Sequence, residues 1–499
     1  MSGTSRLFRR FLSLFSARVI STLIAFLATP IIVRLLGPGG YGDYAVLLSI
    51  YSLYMIPISS AITEGVQKFV AEQRDADAWI ERVIQFYLLL AFGLALLGGG
   101  MLLAFTRLGF AEWLFGPDFT FYFYVLVAFI VAGQFRGLTM HTVLGFGLEH
   151  IKGPLGVLKK ALTVGTGITL VWFGFGVFGM LLGNILAHTV IALLAGYVIV
   201  RRINVSRLLE IPDSIHYREF LSFNVLNVLL VLLVMSLFHV DVVMVRMIES
   251  DEATGYYRAA LALAEYIWIV PIVIQSLLLH STSTLWSDGR TDQITALAGR
   301  ITRYTTLLVV LMAVGLASLA HRFVPLYYGP EFTVSIVPLI LLLPGAVGFA
   351  VARPLQAICQ GSGKLRTLIL AMGVAAGMNV LLNAVLIPLY GIQGAAIATS
   401  TSYGSMFALL VWASWRIGFD PLSDFRPGRI ALTVGLSAVP IYAMSRWIPS
   451  DVVAFLVVPV AGLLIFTACA MLSGALDVEE TVELLGKLPT PAVLKATLN

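Results

Sequence analysis

Two arginines, Arg136 and Arg353, stand inside runs of otherwise apolar residues. A charge at the middle of an apolar helix costs about 2.5–3.5 kcal/mol to insert into a bilayer, so each needs a partner, a wet cavity or a route to the interface. A guanidinium stays protonated when poorly hydrated and can donate two parallel hydrogen bonds to one oxyanion. The chemistry on offer is therefore capture of a phosphate-like group. The competing reading is that both side chains snorkel to the nearer interface. Arg136, at about two-thirds depth in its run, is the first choice for substrate contact.

Other charges carry paired readings too. Arg18, one to two turns into the first apolar run, either snorkels or lines a polar path. Glu64 lies four residues before Lys68, the favoured order for an ion pair on a helix, set against a substrate or proton role. Asp241 and Arg246 close one run, and Arg258 and Glu265 open the next. A gate or coupling element and an interfacial pairing are the two readings there. His141, His188, His239 and His280 are scattered singly, as packing residues would be.

Several catalytic patterns fail. Gly361-Ser362-Gly363-Lys364 resembles the end of a phosphate-binding loop, but Ile358 sits where its first glycine belongs and Leu365 where its Ser/Thr belongs. Cys359 and Cys469 lie in apolar stretches and suggest neither a disulfide framework nor a metal site. No metal-ligand spacing, nucleophile elbow or paired carboxylates occur in any loop, so neither an enzyme nor a cofactor is expected. Asn204-Val205-Ser206 is a glycosylation sequon on the side expected to be cytoplasmic.

These charges must be positioned by membrane helices. The chain has 499 residues, 59% hydrophobic and 12% charged, with a mean hydropathy of +0.93. Soluble chains carry about 25% charged residues, so the composition excludes an ordinary soluble protein. Apolar runs predict fourteen helices, at 12–36, 43–67, 80–105, 119–145, 155–175, 178–200, 219–245, 258–285, 302–322, 332–358, 366–388, 393–415, 428–447 and 451–474. Each can cross about 30 Å of hydrocarbon. The run after Arg6, Arg9 and Arg10 is too long for a signal peptide and reads as the first span. With a cytoplasmic amino terminus, 24 of the 32 Lys and Arg fall on the cytoplasmic side and six outside, as the positive-inside rule requires. This distribution accounts for the net charge of +5 without a nucleic-acid partner. Both termini are then cytoplasmic, in a multi-pass cytoplasmic-membrane protein, with an acidic amphipathic tail at Asp477, Glu479, Glu480 and Glu483.

The chain also repeats itself. Phe115-Gly116-Pro117-Asp118-Phe119 returns as Tyr328-Gly329-Pro330-Glu331-Phe332, and Gly42-Asp43-Tyr44 returns as Gly255-Tyr256-Tyr257, both at an offset of 213. Pro57 and Pro271, at an offset of 214, mark paired hinges, and Gly176 and Gly391 stand at 215. Six helices per copy is an even number, so both copies run the same way through the membrane and would enclose a central cavity. The expected fold is all-α and polytopic. It has a six-helix lobe at 1–215, a second at 216–418, two additional helices at 419–475 and a tail at 476–499.

Thr29-Pro30-Ile31-Ile32-Val33-Arg34-Leu35-Leu36-Gly37, followed by Tyr41-Gly42, resembles the first hairpin of the polysaccharide transporter family. Asp241 with Gly255-Tyr256-Tyr257, and Gly361 after span ten, are similar to that family's second half. The resemblance implies a Wzx-like flippase of the MATE-like multidrug/oligosaccharidyl-lipid/polysaccharide exporter superfamily. Its substrate would be an oligosaccharide on a polyprenyl phosphate or pyrophosphate, moved by alternating access for surface glycan synthesis. Partners would be membrane lipids and a glycan polymerase or glycosyltransferase. Arg136, Arg353, Arg18 and Glu64 would then face substrate, and Asp241, Arg246 and Glu265 would gate or couple. An ion-coupled small-molecule exporter, which needs buried carboxylates, is the first alternative. A membrane glycan polymerase or ligase, which would be expected to use a sizeable external loop, is the second.

Overall fold

In hydrocarbon a backbone amide has no water to bond, so long apolar runs become helices that satisfy every amide internally. The computed structural model describes residues 3–72, 74, 78–209 and 225–477, with the side chains of residues 3–15, 61, 209, 225–227 and 280 left aside. The tail around Glu479, Glu480 and Glu483 and the side chain of His280 lie outside the described residues. Within them the chain is helical and contains no strand. Hydroxyls inside the helices are turned back on the preceding turn, as Ser52 does to the Leu48 carbonyl (2.7 Å) and Ser402 to that of Ala398 (2.8 Å).

The first stretch of helices is α1 (Gly3–Ala71), α2 (Trp79–Arg107), α3 (Phe110–Phe115), α4 (Asp118–Gly145), α5 (Glu149–Leu170) and α6 (Gly176–Val200). Then come α7 (Val225–Ile248), α8 (Asp251–Glu265), α9 (Ile269–Ser287), α10 (Thr291–Tyr328), α11 (Ile336–Gly361), α12 (Leu365–Ile417), α13 (Pro427–Trp447) and α14 (Asp451–Leu472). Eleven helical stretches among the described residues are long and apolar enough to cross a membrane. Three of them are double. Gly37 (φ 67°) divides α1, Gly174 (φ 90°) and Gly176 (φ 51°) divide α5 from α6, and Gly391 (φ 58°) divides α12. Such positive φ is open to glycine at little cost, so the chain reverses there without a loop. Counting the arms separately yields the fourteen segments expected from hydropathy.

The repeat is written into the backbone as well. Gly116 (φ 99°, ψ 171°) matches Gly329 (φ 121°, ψ 158°), and Gly176 (φ 51°, ψ −135°) matches Gly391 (φ 58°, ψ −138°). Gly147 and Gly363, at an offset of 216, have φ of 71° and 73°. Leu148 (φ −100°, ψ 50°) and Lys364 (φ −80°, ψ 58°), which follow them, also agree.

The chain divides into two compact units, Met1–Arg258 and Ala259–Asn499. In the first, Ile62, Val66, Phe69, Tyr87, Val143 and Ile191 form a buried cluster, closed by the Trp79 indole donating to the Phe69 carbonyl at 3.0 Å. In the second, α11 and the second arm of α12 approach through glycine: a Cβ on Gly345 would overlap the Ser400 backbone. Two arginines of α10 fasten it to the loop before α13 and to the turn between α13 and α14. Arg322 donates to Asp451 (2.8 Å) and to the Ile448 carbonyl (2.6 Å). Arg303, fully buried, meets both oxygens of Asp424 at 3.1 and 3.2 Å.

Candidate functional site

Arg136 projects from α4, half-buried, within electrostatic reach of the Tyr51 hydroxyl of α1. The Tyr51 ring stacks on Phe129 at 3.8 Å between centroids, and Phe129 packs on His188 of α6 at 5.0 Å. Gly133 makes room for this arrangement, since a Cβ there would overlap the Tyr51 hydroxyl. The Arg136 Nε is buried with no hydrogen-bond partner among the described residues. Lys152 and Lys159 of α5 lie within electrostatic reach of Arg136, seven residues apart and so on one face of the helix. No ion pair to a carboxylate joins any of the three among the described residues. Three half-buried cations without a counter-ion repel one another, and an anion placed among them would relieve that repulsion. Nearby, the His141 ring Nδ1 and the Gln67 Oε1 are 3.0 Å apart.

The second unit holds a related cluster. Arg353 of α11 donates to Gln275 at 3.2 Å and lies over the rings of Trp268 (5.0 Å) and Phe349 (4.8 Å). Phe349 stacks on Tyr403 of α12 at 5.0 Å, and the Trp268 indole donates to the Ala346 carbonyl at 2.9 Å. Close to the repeat offset, His188 corresponds to Tyr403 and Arg136 to Arg353. Each unit therefore sets rings from three helices around one arginine. The difference is spacing. Arg353 follows its stacking ring Phe349 by four residues, one turn, and lies on it. Arg136 follows Phe129 by seven and reaches past it towards Lys152 and Lys159. Cation–π contacts of about 0.5–2 kcal/mol engage Arg353, whereas Lys152 and Lys159 add positive charge near Arg136.

The remaining candidates are dispersed. Arg18 is exposed on α1. Lys68 reaches Glu72 at 3.7 Å, and Glu64 has polar interactions of its own. Pro57 lies within α1 and borders an apolar cavity of about 350 Å³ lined by Ile50, Leu53, Tyr54, Val228 and Leu232. Pro271 follows a 3-10 turn at Tyr266–Trp268. Glu265 ends α8, half-buried and engaged.

Asp241 and Arg246 were expected at one interface, and the structure gives them separate partners. Asp241 is fully buried, accepting from the Tyr257 hydroxyl at 2.5 Å and the Val242 amide at 2.8 Å. Arg246 pairs with Asp43 at 2.8 Å, donates to the Phe115 carbonyl at 2.7 Å and lies over Phe119 at 5.1 Å. Sequence reasoning missed Asp43, although it follows Gly42 in a repeat anchor. Tyr51, Lys152 and Lys159 were missed as well, with only the seven-residue lysine spacing as a signal. Among the described residues no group of three His, Cys, Asp or Glu could hold a metal ion.

This architecture has known counterparts. The probable low-salt glycan biosynthesis flippase Agl15 of Haloferax volcanii is 21% identical over 402 residues, 79% of this chain and 80% of its own length. The lipid II flippase MurJ in an inward closed conformation superposes with a TM-score of 0.74 at 14% identity, over 93% of this chain and 98% of its own. An inward-facing multidrug resistance MATE family transporter of the MOP superfamily follows at 0.67 and 15%, over 82% and 98%. At such identities the superpositions establish the fold. The family model described as polysaccharide biosynthesis protein matches residues 7–278, more than half of the 499 residues, and the chain belongs to that family.

Proposed function

We propose that the protein is a flippase that carries an oligosaccharide linked to a polyprenyl phosphate or pyrophosphate across the cytoplasmic membrane, from the cytoplasmic to the outer leaflet. The observation that carries the reading is the trio Arg136, Lys152 and Lys159, gathered within apolar helices without a carboxylate partner among the described residues. A phosphate or pyrophosphate supplies the missing negative charge and is common to every such carrier. The sugar follows a polar path while the prenyl chain stays in lipid. Both termini are cytoplasmic, the lobes follow the repeat at 1–215 and 216–418, and a polymerase or glycosyltransferase takes up the product. The names of Agl15 and MurJ as flippases support the same reading.

An ion-coupled exporter of small cations would need an accessible carboxylate within one lobe. The MATE neighbours share the fold, but the buried Asp241 already accepts from Tyr257 and Val242, which favours the flippase. The test is transport of a fluorescent lipid-linked oligosaccharide in liposomes. Arg136→Ala abolishes translocation at normal protein levels, and Arg136→Lys retains part of it, because lysine keeps the charge and loses the fork. Full transport by the alanine variant removes Arg136 from the site.

A further inference from the structure

The first turn of the second arm of α1 crosses the first turn of α8 with the two backbones touching. A Cβ on Gly42 would overlap the Asp251 carbonyl oxygen, and a Cβ on Gly255 would overlap the Pro38 carbonyl oxygen. Gly39 is as tightly placed, 2.6 Å from a carboxylate oxygen of Asp251 if it bore a Cβ. The contact is reciprocal: the repeat offset relates Pro38 to Asp251, and it relates Gly42 to Gly255. The two copies of the repeat thus meet through the same pair of positions. By the repeat, α7 and the start of α8 belong to the second copy, yet they pack into the first compact unit, which runs to Arg258.

A crossing made of glycines has no interlocked side chains to withdraw, so it can part without repacking a core. What fastens it is Arg246. Its three partners lie on three segments: Asp43 on α1, the Phe115 carbonyl at the end of α3 and the Phe119 ring on α4. The Arg246 and Asp43 side chains are 17% and 13% exposed, shielded enough for the charged hydrogen bonds to hold. At the repeat offset Asp43 corresponds to Tyr256 and Arg246 to Val33, so the Asp–Arg pairing itself is not repeated at those positions. Deeper along the same helices, the His239 ring and the Ser49 hydroxyl meet at 3.2 Å.

We infer that Asp43 and Arg246 form the latch of an outer gate whose seam is the Gly42–Gly255 crossing, and that this latch must release before a flipped headgroup leaves. This rests on the flippase reading for the headgroup and on the expected orientation for the word outer. The latch itself is tested without substrate, so its failure is distinguishable from failure of the function.

The experiment uses the full chain with Cys359→Ser and Cys469→Ser and a single reporter, Ser49→Cys, which lies behind the seam at 3% exposure. Intact cells are treated with a membrane-impermeant maleimide, and folding is checked by monodisperse size exclusion. Arg246→Ala and Asp43→Asn raise the labelling rate about tenfold or more, the equivalent of one lost charged hydrogen bond. The exchange Asp43→Arg with Arg246→Asp brings the rate back towards that of the parent. Gly42→Ala raises it independently of any charge. Should Gly42→Ala not fold, the Arg246 and Asp43 variants decide alone. Unchanged labelling in both single charge variants overturns the latch.

Discussion

Replacing Asp424 with alanine strands the Arg303 guanidinium in the interior of the second unit. Arg303 is 0% exposed, and both of its terminal nitrogens meet Asp424 oxygens, at 3.1 and 3.2 Å. Removing one partner of such a pair costs about 3–5 kcal/mol, because a buried charge is left uncompensated. Asp424 is 30% exposed, which places the loss near the lower end, about 3 kcal/mol. Arg426 loses its 3.0 Å contact to the same carboxylate, but it is partly exposed and adds less than about 1 kcal/mol. Arg303→Met removes the charge and keeps most of the volume, so it costs much less, about 1 kcal/mol, from lost packing on Tyr304. Equilibrium unfolding of the purified protein in one detergent orders the three chains as parent, Arg303→Met, then Asp424→Ala. A loss below about 1 kcal/mol for Asp424→Ala, or a larger loss for Arg303→Met than for Asp424→Ala, would refute a buried, charge-compensated strap.

Cysteine reporters near Gly116, Ser250 and Gly329 label from outside intact cells, and those near Lys160, Arg202 and Asp424 do not. External labelling at Arg202 breaks the fourteen-span topology. Gly345→Val drives a side chain into the Ser400 backbone, and thermal unfolding shows a marked fall in Tm. An unchanged Tm means the α11–α12 seam is looser than described. Pro57→Ala and Pro271→Ala restore a backbone donor in each helix and slow transport in the liposome assay at normal folding. Unaltered rates in both variants remove the paired hinges.

The helices and the repeat were legible in the sequence because both rest on local signals. Hydropathy marks each segment, and the glycines at 116 and 176 recur at 329 and 391 because only a residue without a Cβ takes those dihedrals cheaply. Helix starts shifted where a helix outruns the bilayer: α10 begins at Thr291, eleven residues before the apolar run at 302. Side-chain partnerships were not legible. Arg246 finds Asp43 across 203 residues, and no local pattern announces such a pairing. Asp241 reads in sequence with Arg246, Arg258 and Glu265 as part of one gate or interfacial pairing, and it accepts from Tyr257. Arg136 and Arg353 looked alike in sequence. Their difference is a matter of helical phase, four residues against seven, and shows only when the rings are placed.

The strap between Arg303 and Asp424 also has a consequence in time. The arginine leaves the ribosome 121 residues before its carboxylate. At about 5–20 residues per second, that interval is roughly 6 to 24 s. Throughout it, α10 is already a candidate for insertion while its guanidinium, in the first half of the helix, lacks the Asp424 carboxylate. The nascent second unit must therefore hold Arg303 at the wet interface and draw it inward only when residue 424 arrives. The loop that carries Asp424, just ahead of α13, is thus a condition for the arginine's burial, and its arrival sets the moment at which the strap can close.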